Sequence, residues 1–219
     1  MLQFYDTLLE LPMFIGIGRS DLSEIVSTTK FDFLKLNPNE LLLSESDKAN
    51  KLYILIDGIL WVKSKADDHS YELIEEVTAP TAIQPERIFG LTQYHSKTYV
   101  AKNECNLLSL DKQEVLRLSA TYLIFRLNYF NMICTQAQRG SRFLWLKQPQ
   151  DIRAKFVSFV RNHCEKPAGQ KVLNIKMQKL ADNLHESRLN VSHLLNALND
   201  QGLIQISRSK IVIPALEKL

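Results

Sequence analysis

Cysteine is scarce in this 219-residue chain. Its three cysteines, Cys105, Cys134 and Cys164, lie far apart, and none sits in a CxxC or comparable metal-ligand spacing. Three thiols so placed cannot build a disulfide framework, and they read as reduced thiols in a reducing compartment. His163 and Cys164 are adjacent, but a single pair is too few for a metal site, so no metal is expected. Long apolar runs are also missing: no stretch approaches the ~20 residues that cross a bilayer. The opening Met1-Leu2-Gln3-Phe4-Tyr5-Asp6 lacks the cationic n-region of a signal peptide. A soluble cytoplasmic protein without a membrane partner is expected. There is no nucleophile elbow, P-loop or paired-carboxylate signature, which argues against an enzyme and gives no sign of a cofactor. Proline is absent from Glu86 to Gln148, which leaves room for a long helix.

What is present is uneven. The net charge is +3, yet residues 147–219 hold 12 Lys+Arg against 6 Asp+Glu, a net of +6. The first 146 residues hold 15 against 18, a net of −3. A basic C-terminal third on an acidic body is the electrostatic footprint of nucleic-acid binding.

The same third carries a helix-turn-helix pattern. In Lys176–Leu184 the apolar residues Met177, Leu180, Ala181 and Leu184 mark one helical face. A break follows at His185-Glu186, and Ser187 stands where an N-cap belongs. Val191, Leu194, Leu195 and Leu198 form a second stripe that Gly202 ends as a C′ glycine would. Leu203–Ile206 and Lys210–Ile213 flank Ser207-Arg208-Ser209, two short strands around a cationic tip. Arg188, Leu189, Asn190, Ser192, His193 and Asn196 face outward on the second helix, where their polar members can meet base edges in a major groove. With Lys176, Ser187 and the wing residues Arg208 and Lys210 they make the candidate DNA-binding set, the wing pair touching phosphates only.

Upstream the texture changes. A short helix is expected over Asp21–Thr29, and residues 30–110 alternate as strands do. Candidate strands are Phe31–Leu36, Glu40–Leu43, Lys51–Lys63, Tyr71–Val77, Thr98–Ala101 and Cys105–Leu110. Within Leu52–Val62 a strand, a tight turn at Gly58 and a second strand are expected. Many short strands imply an antiparallel roll. From Tyr122 to Leu146 the pattern turns helical. Leu123, Leu127, Phe130, Cys134, Ala137, Ser141 and Leu144 recur at alternating steps of four and three, an a/d seam over about three heptads. Ile124, Phe125, Tyr129, Met132 and Ile133 make a second apolar face. Such a helix packs on its own domain with one face and on a second copy with the other, and the small residues Ala137, Gly140 and Ser141 allow close approach. The expected division is a sensor roll at 1–118, a dimerisation helix at 119–147 and a DNA-binding domain at 148–219. The fold class is α+β.

A strand-rich roll, a long central helix and a winged helix-turn-helix in this order resemble the Crp/Fnr family of bacterial transcription regulators. The most specific pieces are Tyr53-Ile54-Leu55-Ile56-Asp57-Gly58 and Ser187–Leu195, the latter similar to the family's recognition helix. The resemblance implies a homodimer that binds a two-fold site on double-stranded DNA, an effector in the roll, and contact with RNA polymerase through a loop before the helix-turn-helix. Here that segment is Cys164–Lys171, a polymerase contact or a plain linker.

The departures point to a changed sensor. Cyclic-AMP-binding members carry a Gly-Glu pair and an Arg-Ser pair about ten residues on. Here Ser96 matches the serine, His95 stands at the arginine, and Gln84-Pro85 or Pro85-Glu86 stands at the Gly-Glu. A neutral imidazole does not replace a bidentate guanidinium on phosphate, and Pro85 removes a backbone donor. Ordinary cyclic-AMP binding is therefore not expected. Glu86, Arg87, His95 and Ser96 are the residues an effector pocket would draw on, with the effector unidentified. Iron–sulphur and haem sensing also find no ligand set, since no cysteine precedes Cys105 and His69, His95 and Cys105 form no recognisable group. On the recognition helix Leu189 replaces a family Glu and His193 a family Arg, so a different operator is expected. The alternative is a ligand-sensing or protein-interaction module whose winged helix does not read DNA.

Overall fold

The computed structural model describes residues 2–143 and 149–219. They fall into two compact units whose division is not linear along the chain. One consists of residues 2–60 and 78–143, the other of 61–77 and 149–219.

The first unit opens with two helices, α1 (Leu2–Glu10) and α2 (Arg19–Thr28). Its strands are β1 (Asp32–Leu36), β2 (Leu41–Leu43), β3 (Lys51–Asp57), β6 (Thr81–Ile83), β7 (Thr98–Ala101) and β8 (Cys105–Asp111). The strands missing from this count, β4 (Ile59–Lys65) and β5 (Tyr71–Thr78), have most of their length in the second unit. A four-stranded antiparallel sheet runs in the order β1-β8-β3-β6, and β2 pairs with β7. Helices α3 (Lys112–Thr121) and α4 (Leu123–Phe143) follow. The alternation of β3 and β8 sends Leu52, Ile54, Leu108 and Leu110 into a core shared with Leu22 and Ile25 of α2, Val115 and Leu118 of α3, and Phe125 and Tyr129 of α4. The period-two pattern of the strands and the helical pattern of α4 thus converge on one apolar interior.

Gly58 does not close a two-residue hairpin between its flanking strands. β3 pairs with β8 and β6 while β4 neighbours β5, so the chain changes sheet at Gly58. The residue has φ 102°, and a Cβ there would lie 2.6 Å from the carbonyl oxygen of Glu104. Only glycine fits such a corner.

In the second unit β4 and β5 continue into β9 (Lys171–Ile175), β11 (Lys210–Ile213) and β10 (Gln205–Ser207), an antiparallel sheet in the order β4-β5-β9-β11-β10. Helices α5 (Ile152–His163), α6 (Met177–Leu184) and α7 (Arg188–Asp200) pack with it. The shared core includes Leu73, Phe156, Leu173, Leu180, Leu195 and Ile211, each 4 % exposed or less.

The expected strands appear within a residue or two of their positions, but β6, β9, α1, α3 and α5 were not foreseen. Among the described residues no helix is long and apolar enough to cross a membrane, and no group of three His, Cys, Asp or Glu is placed to hold a metal.

Candidate functional site

Helix α7 is positioned by its own caps and by its neighbours. The preceding helix ends at His185, whose left-handed φ of 53° turns the chain while its backbone N–H donates to the carbonyls of Ala181 and Asp182. Ser187 Oγ then accepts the backbone N–H of Asn190 at 3.1 Å, the N-cap its sequence promises. Gly202, with φ 70°, closes the far end, and its N–H donates to the Asn199 carbonyl. Val191, Leu195 and Leu198 are buried on one side. The opposite side therefore presents Arg188, Leu189, Asn190, His193 and Asn196 to solvent, with Ser192 half-buried; Leu189 is 64 % exposed.

Most of that face is unspent. Among the described residues no side chain or carbonyl hydrogen-bonds the side chains of Arg188, His193 or Asn196. Asn190 differs: its amide donates to Glu186 Oε2 at 3.3 Å. Glu186 in turn takes the ammonium of Lys155 on α5. Bonds from Lys155 and then Asn190 hold the Glu186 carboxyl below the usual range. The relay Lys155–Glu186–Asn190 pins the first turn of α7 to α5, a positioning role that sequence reading missed because Glu186 looked like part of a featureless break. Lys176 is exposed at the N-cap of α6, and Arg208 and Lys210 are exposed on the wing between β10 and β11. The cations thus cluster on the elements that flank α7 in sequence.

The segment Cys164–Lys171 is anchored through its backbone while residues 166–170 stay exposed. The backbone N–H groups of Glu165 and Lys166 donate to Glu75 at 2.7 and 3.2 Å, and Gly169 N–H donates to Glu217 Oε2 at 2.7 Å.

In the first unit two of the residues singled out for an effector, His95 and Ser96, come together around Gln84, and the other two, Glu86 and Arg87, lie next to each other. Gln84, buried and left-handed at φ 41°, precedes a short 3-10 turn at Pro85–Arg87. Its amide nitrogen donates to Ser96 Oγ at 2.7 Å. Its amide oxygen accepts from His95 Nδ1 at 3.1 Å and from the Ser96 backbone N–H at 3.3 Å. His95 is 2 % exposed, and burial pushes its imidazole pKa down, so the ring is held neutral. Arg87 Nε lies 3.9 Å from Glu86 Oε1 of the neighbouring residue. Tyr129 of α4, whose hydroxyl donates to the Pro85 carbonyl at 2.9 Å, packs edge-on against Phe89. In the sequence Gln84 stands out only as a misfit at the Gly-Glu position; its part as the hub of this network has no linear signature. A cleft of 340 Å³ lies beside Pro85, lined also by Thr81, Asn128, Asn131, Gln136 and Arg139.

Helix α4 shows both of its faces. Phe125 and Tyr129 are buried, and Met132 and Ile133 pack against the core, but Ile124 is 39 % exposed and departs from the inward face expected of it. The seam residues Leu123, Leu127 and Phe130 are 56 %, 46 % and 52 % exposed, and Cys134, Ala137 and Ser141 continue the exposed stripe. Leu144, the last seam position, lies outside the described residues.

Comparison with known proteins agrees with this anatomy. Residues 33–122 match the cyclic nucleotide-binding domain, and residues 141–219 match the Crp-like helix-turn-helix domain. The chain is similar in structure to the catabolite activator protein of Thermus thermophilus, at 16% identity over 92% of this chain and 93% of that one, with a TM-score of 0.51. It is also similar to a transcriptional regulator from Thermotoga maritima, at 19% identity over 57% of this chain and 95% of that one, with a TM-score of 0.50. At such identities the likeness is one of fold. No curated protein matches the chain. A cyclic nucleotide-binding fold followed by a Crp-like helix-turn-helix defines a class of transcription regulators. The protein belongs to that class, the Crp/Fnr family.

Proposed function

We propose that this protein is a homodimeric, sequence-specific DNA-binding transcription regulator of the cytoplasm whose N-terminal sensor no longer binds cyclic AMP. Along the sequence the sensor is assigned to residues 1–118, the dimerisation helix to 119–147 and the DNA-binding domain to 148–219, with residues 61–77 of the first stretch folding into the second unit. The observation that carries the reading is the exposed face of α7, where Arg188, His193 and Asn196 offer hydrogen-bonding groups that no described residue uses. Arg188 on the first turn reaches a guanine bidentately, and Leu189 offers only apolar contact, for example to a thymine methyl. Arg208 and Lys210 supply phosphate contacts. The exposed stripe Leu123, Leu127, Phe130 supports pairing of two α4 helices, which sets two reading heads about one helical turn apart on a two-fold site. RNA polymerase is a further candidate partner through the exposed part of Cys164–Lys171.

The loss of cyclic AMP is supported by Gln84, whose amide oxygen occupies the His95 Nδ1–H and Ser96 backbone N–H donors that a phosphate would need. Selection from randomised DNA followed by a salt titration tests the reading. A two-fold site bound with a steep loss of affinity in salt is expected. Failure to select any sequence, with salt-independent binding, would turn the reading toward a protein-interaction module. Calorimetry with cyclic AMP should show no binding, and micromolar affinity would overturn the loss.

A further inference from the structure

Residues 61–77 lie inside the 33–122 match in sequence, yet they fold with the helix-turn-helix. Strand β5 adds to β9 along five residue pairs, from Tyr71 opposite Ile175 to Glu75 opposite Lys171. β9 is otherwise an edge of the winged sheet, and an uncovered edge is an open template for other strands. The pairing carries a buried charge pair. Glu75 and Lys171 are each 1 % exposed, with Oε2 and Nζ 3.5 Å apart. Both groups are bonded further: Glu75 accepts the N–H groups of Glu165 and Lys166, and Lys171 Nζ donates to the Ala168 carbonyl at 2.8 Å. The hairpin also grips two helices. Asp68 at its turn pairs with Lys179 of α6 at 2.9 Å, and bonds from Ser70 and Lys179 hold the Asp68 carboxyl well below the usual range. The Tyr71 hydroxyl donates to His163 Nε2 of α5 at 2.8 Å, since His163 Nδ1 donates to the Phe159 carbonyl.

From these contacts we infer that the DNA-reading domain is discontinuous, and that the hairpin is a positioning element for DNA reading locked by Glu75 and Lys171. The hairpin touches α5, α6, β9 and the loop before β9, the elements that set the pose of α7, and leaves the exposed face of α7 free. An edge cover alone needs no buried charges. Apolar residues would serve at least as well, because burying an ion pair carries a desolvation cost that packing does not. What a buried pair adds is a strong penalty for partial opening, since separation strands one charge in an apolar interior. The pose of α6 and α7 is then nearly all-or-none, with the reading-competent state coincident with the closed lock. This inference rests on the reading of α7 as the DNA reader.

The test uses the full-length protein with Cys134→Ser and Cys164→Ser. Glu72 and Asn174 are register partners whose side chains already meet at 3.0 Å, so Glu72→Cys/Asn174→Cys is placed for a disulfide across β5 and β9. Mild oxidation should form that bond, and the oxidised protein should bind its selected DNA within about threefold of the reduced form, because locking a state that is already dominant changes little. Glu75→Gln should weaken binding about tenfold if the locked fraction falls to one tenth. Adding Lys171→Met, which removes the stranded ammonium, should restore most of it. Absence of the disulfide in protein with native circular dichroism overturns the strand pairing. A disulfide that abolishes DNA binding shows that the locked form is not the reading form and overturns the positioning role. Glu75→Gln without loss of affinity overturns the charge lock. If the wild type selects no DNA, the DNA-reader reading and the positioning role fall together; disulfide formation, which needs no DNA, tells that failure from failure of the strand pairing.

Discussion

The two units treat their polar groups in opposite ways. Around Gln84 the groups bond one another: the amide, the His95 ring and the Ser96 hydroxyl and N–H form one small network. On α7 the corresponding inventory of Arg, His and Asn is held out and left unspent, while the groups that are spent, Lys155, Glu186 and Asn190, fix the helix itself. A site that recognises a partner must keep capacity in reserve, because a bond already satisfied within the chain offers little gain on exchange. By that measure the first unit has closed the His95–Ser96 part of its expected site, while Arg87 Nε and His95 Nε2 have no hydrogen-bond partner among the described residues, and the second keeps its site open. The stripe on α4 is the apolar form of the same openness, since large exposed hydrophobes in a row mark a surface awaiting cover.

The largest effect that can break this contrast lies at the stripe. Leu127→Glu with Phe130→Glu places unpaired charges where two α4 helices are proposed to meet, at a cost of roughly 3–5 kcal/mol. Sedimentation should then give half the wild-type mass, and DNA affinity should fall by about 10² or more as bivalency is lost. Equal masses for wild type and variant would mean that the stripe covers something else.

Arg188→Ala should come next, with a loss of roughly 1–3 kcal/mol in DNA binding and relaxed preference at one base pair of each half-site. Arg208→Ala should instead weaken all sequences alike and lower the salt slope by about one. Repeating the randomised-DNA selection with both variants separates base reading from phosphate contact. An unchanged site preference in Arg188→Ala would show that this end of α7 does not enter the groove.

The closed site makes a converse prediction. Gln84→Ala strips partners from His95 Nδ1 and from the Ser96 N–H and should cost about 1–3 kcal/mol of stability in urea unfolding. DNA affinity measured well below the unfolding midpoint should not move, since Gln84 belongs to the first unit.

How far these regions could be read in advance differed for a physical reason. The helix-turn-helix was legible because its determinants are local: a helical stripe, the Ser187 cap, the Gly202 terminator. The seam of α4 was legible because periodicity is a property of one segment. The Gln84 network was not, because a left-handed residue at 84 meets side chains eleven and twelve positions later through a fold that no local pattern announces. Strand β9 escaped notice for a related reason. Lys171-Val172-Leu173-Asn174-Ile175 opens on a lysine that pattern reading assigns to solvent, and only its pairing with Glu75, some hundred residues upstream, lets that lysine be buried. Gly58 marks a special backbone position in the sequence, but a positive φ serves a hairpin turn and a corner between sheets alike, and only the strand pairing tells them apart.

The smallest effect concerns His95 and bears on whether the closed site is closed in solution. The ring is 2 % exposed; Nδ1 donates to Gln84, and Nε2 has no hydrogen-bond partner among the described residues. Burial lowers its pKa, Asp47 opposes the shift and Arg87 adds to it. The folded state therefore resists protonation, whereas the unfolded chain takes up the proton near pH 6.5. Stability from this residue is present in full above about pH 6.5 and is lost as pH falls from there through the lowered folded value. One proton sets a ceiling of about 1.4 kcal/mol per pH unit on the slope. His95→Gln keeps a group that can donate to Gln84 but cannot titrate. Between about pH 6.5 and 5, urea midpoints of the wild type should drop relative to those of the variant, and the other four histidines cancel because both proteins carry them. Parallel curves would mean that His95 meets solvent and titrates normally when folded. The network around Gln84 would then be open, and the contrast between a closed sensor and an open reader would be lost.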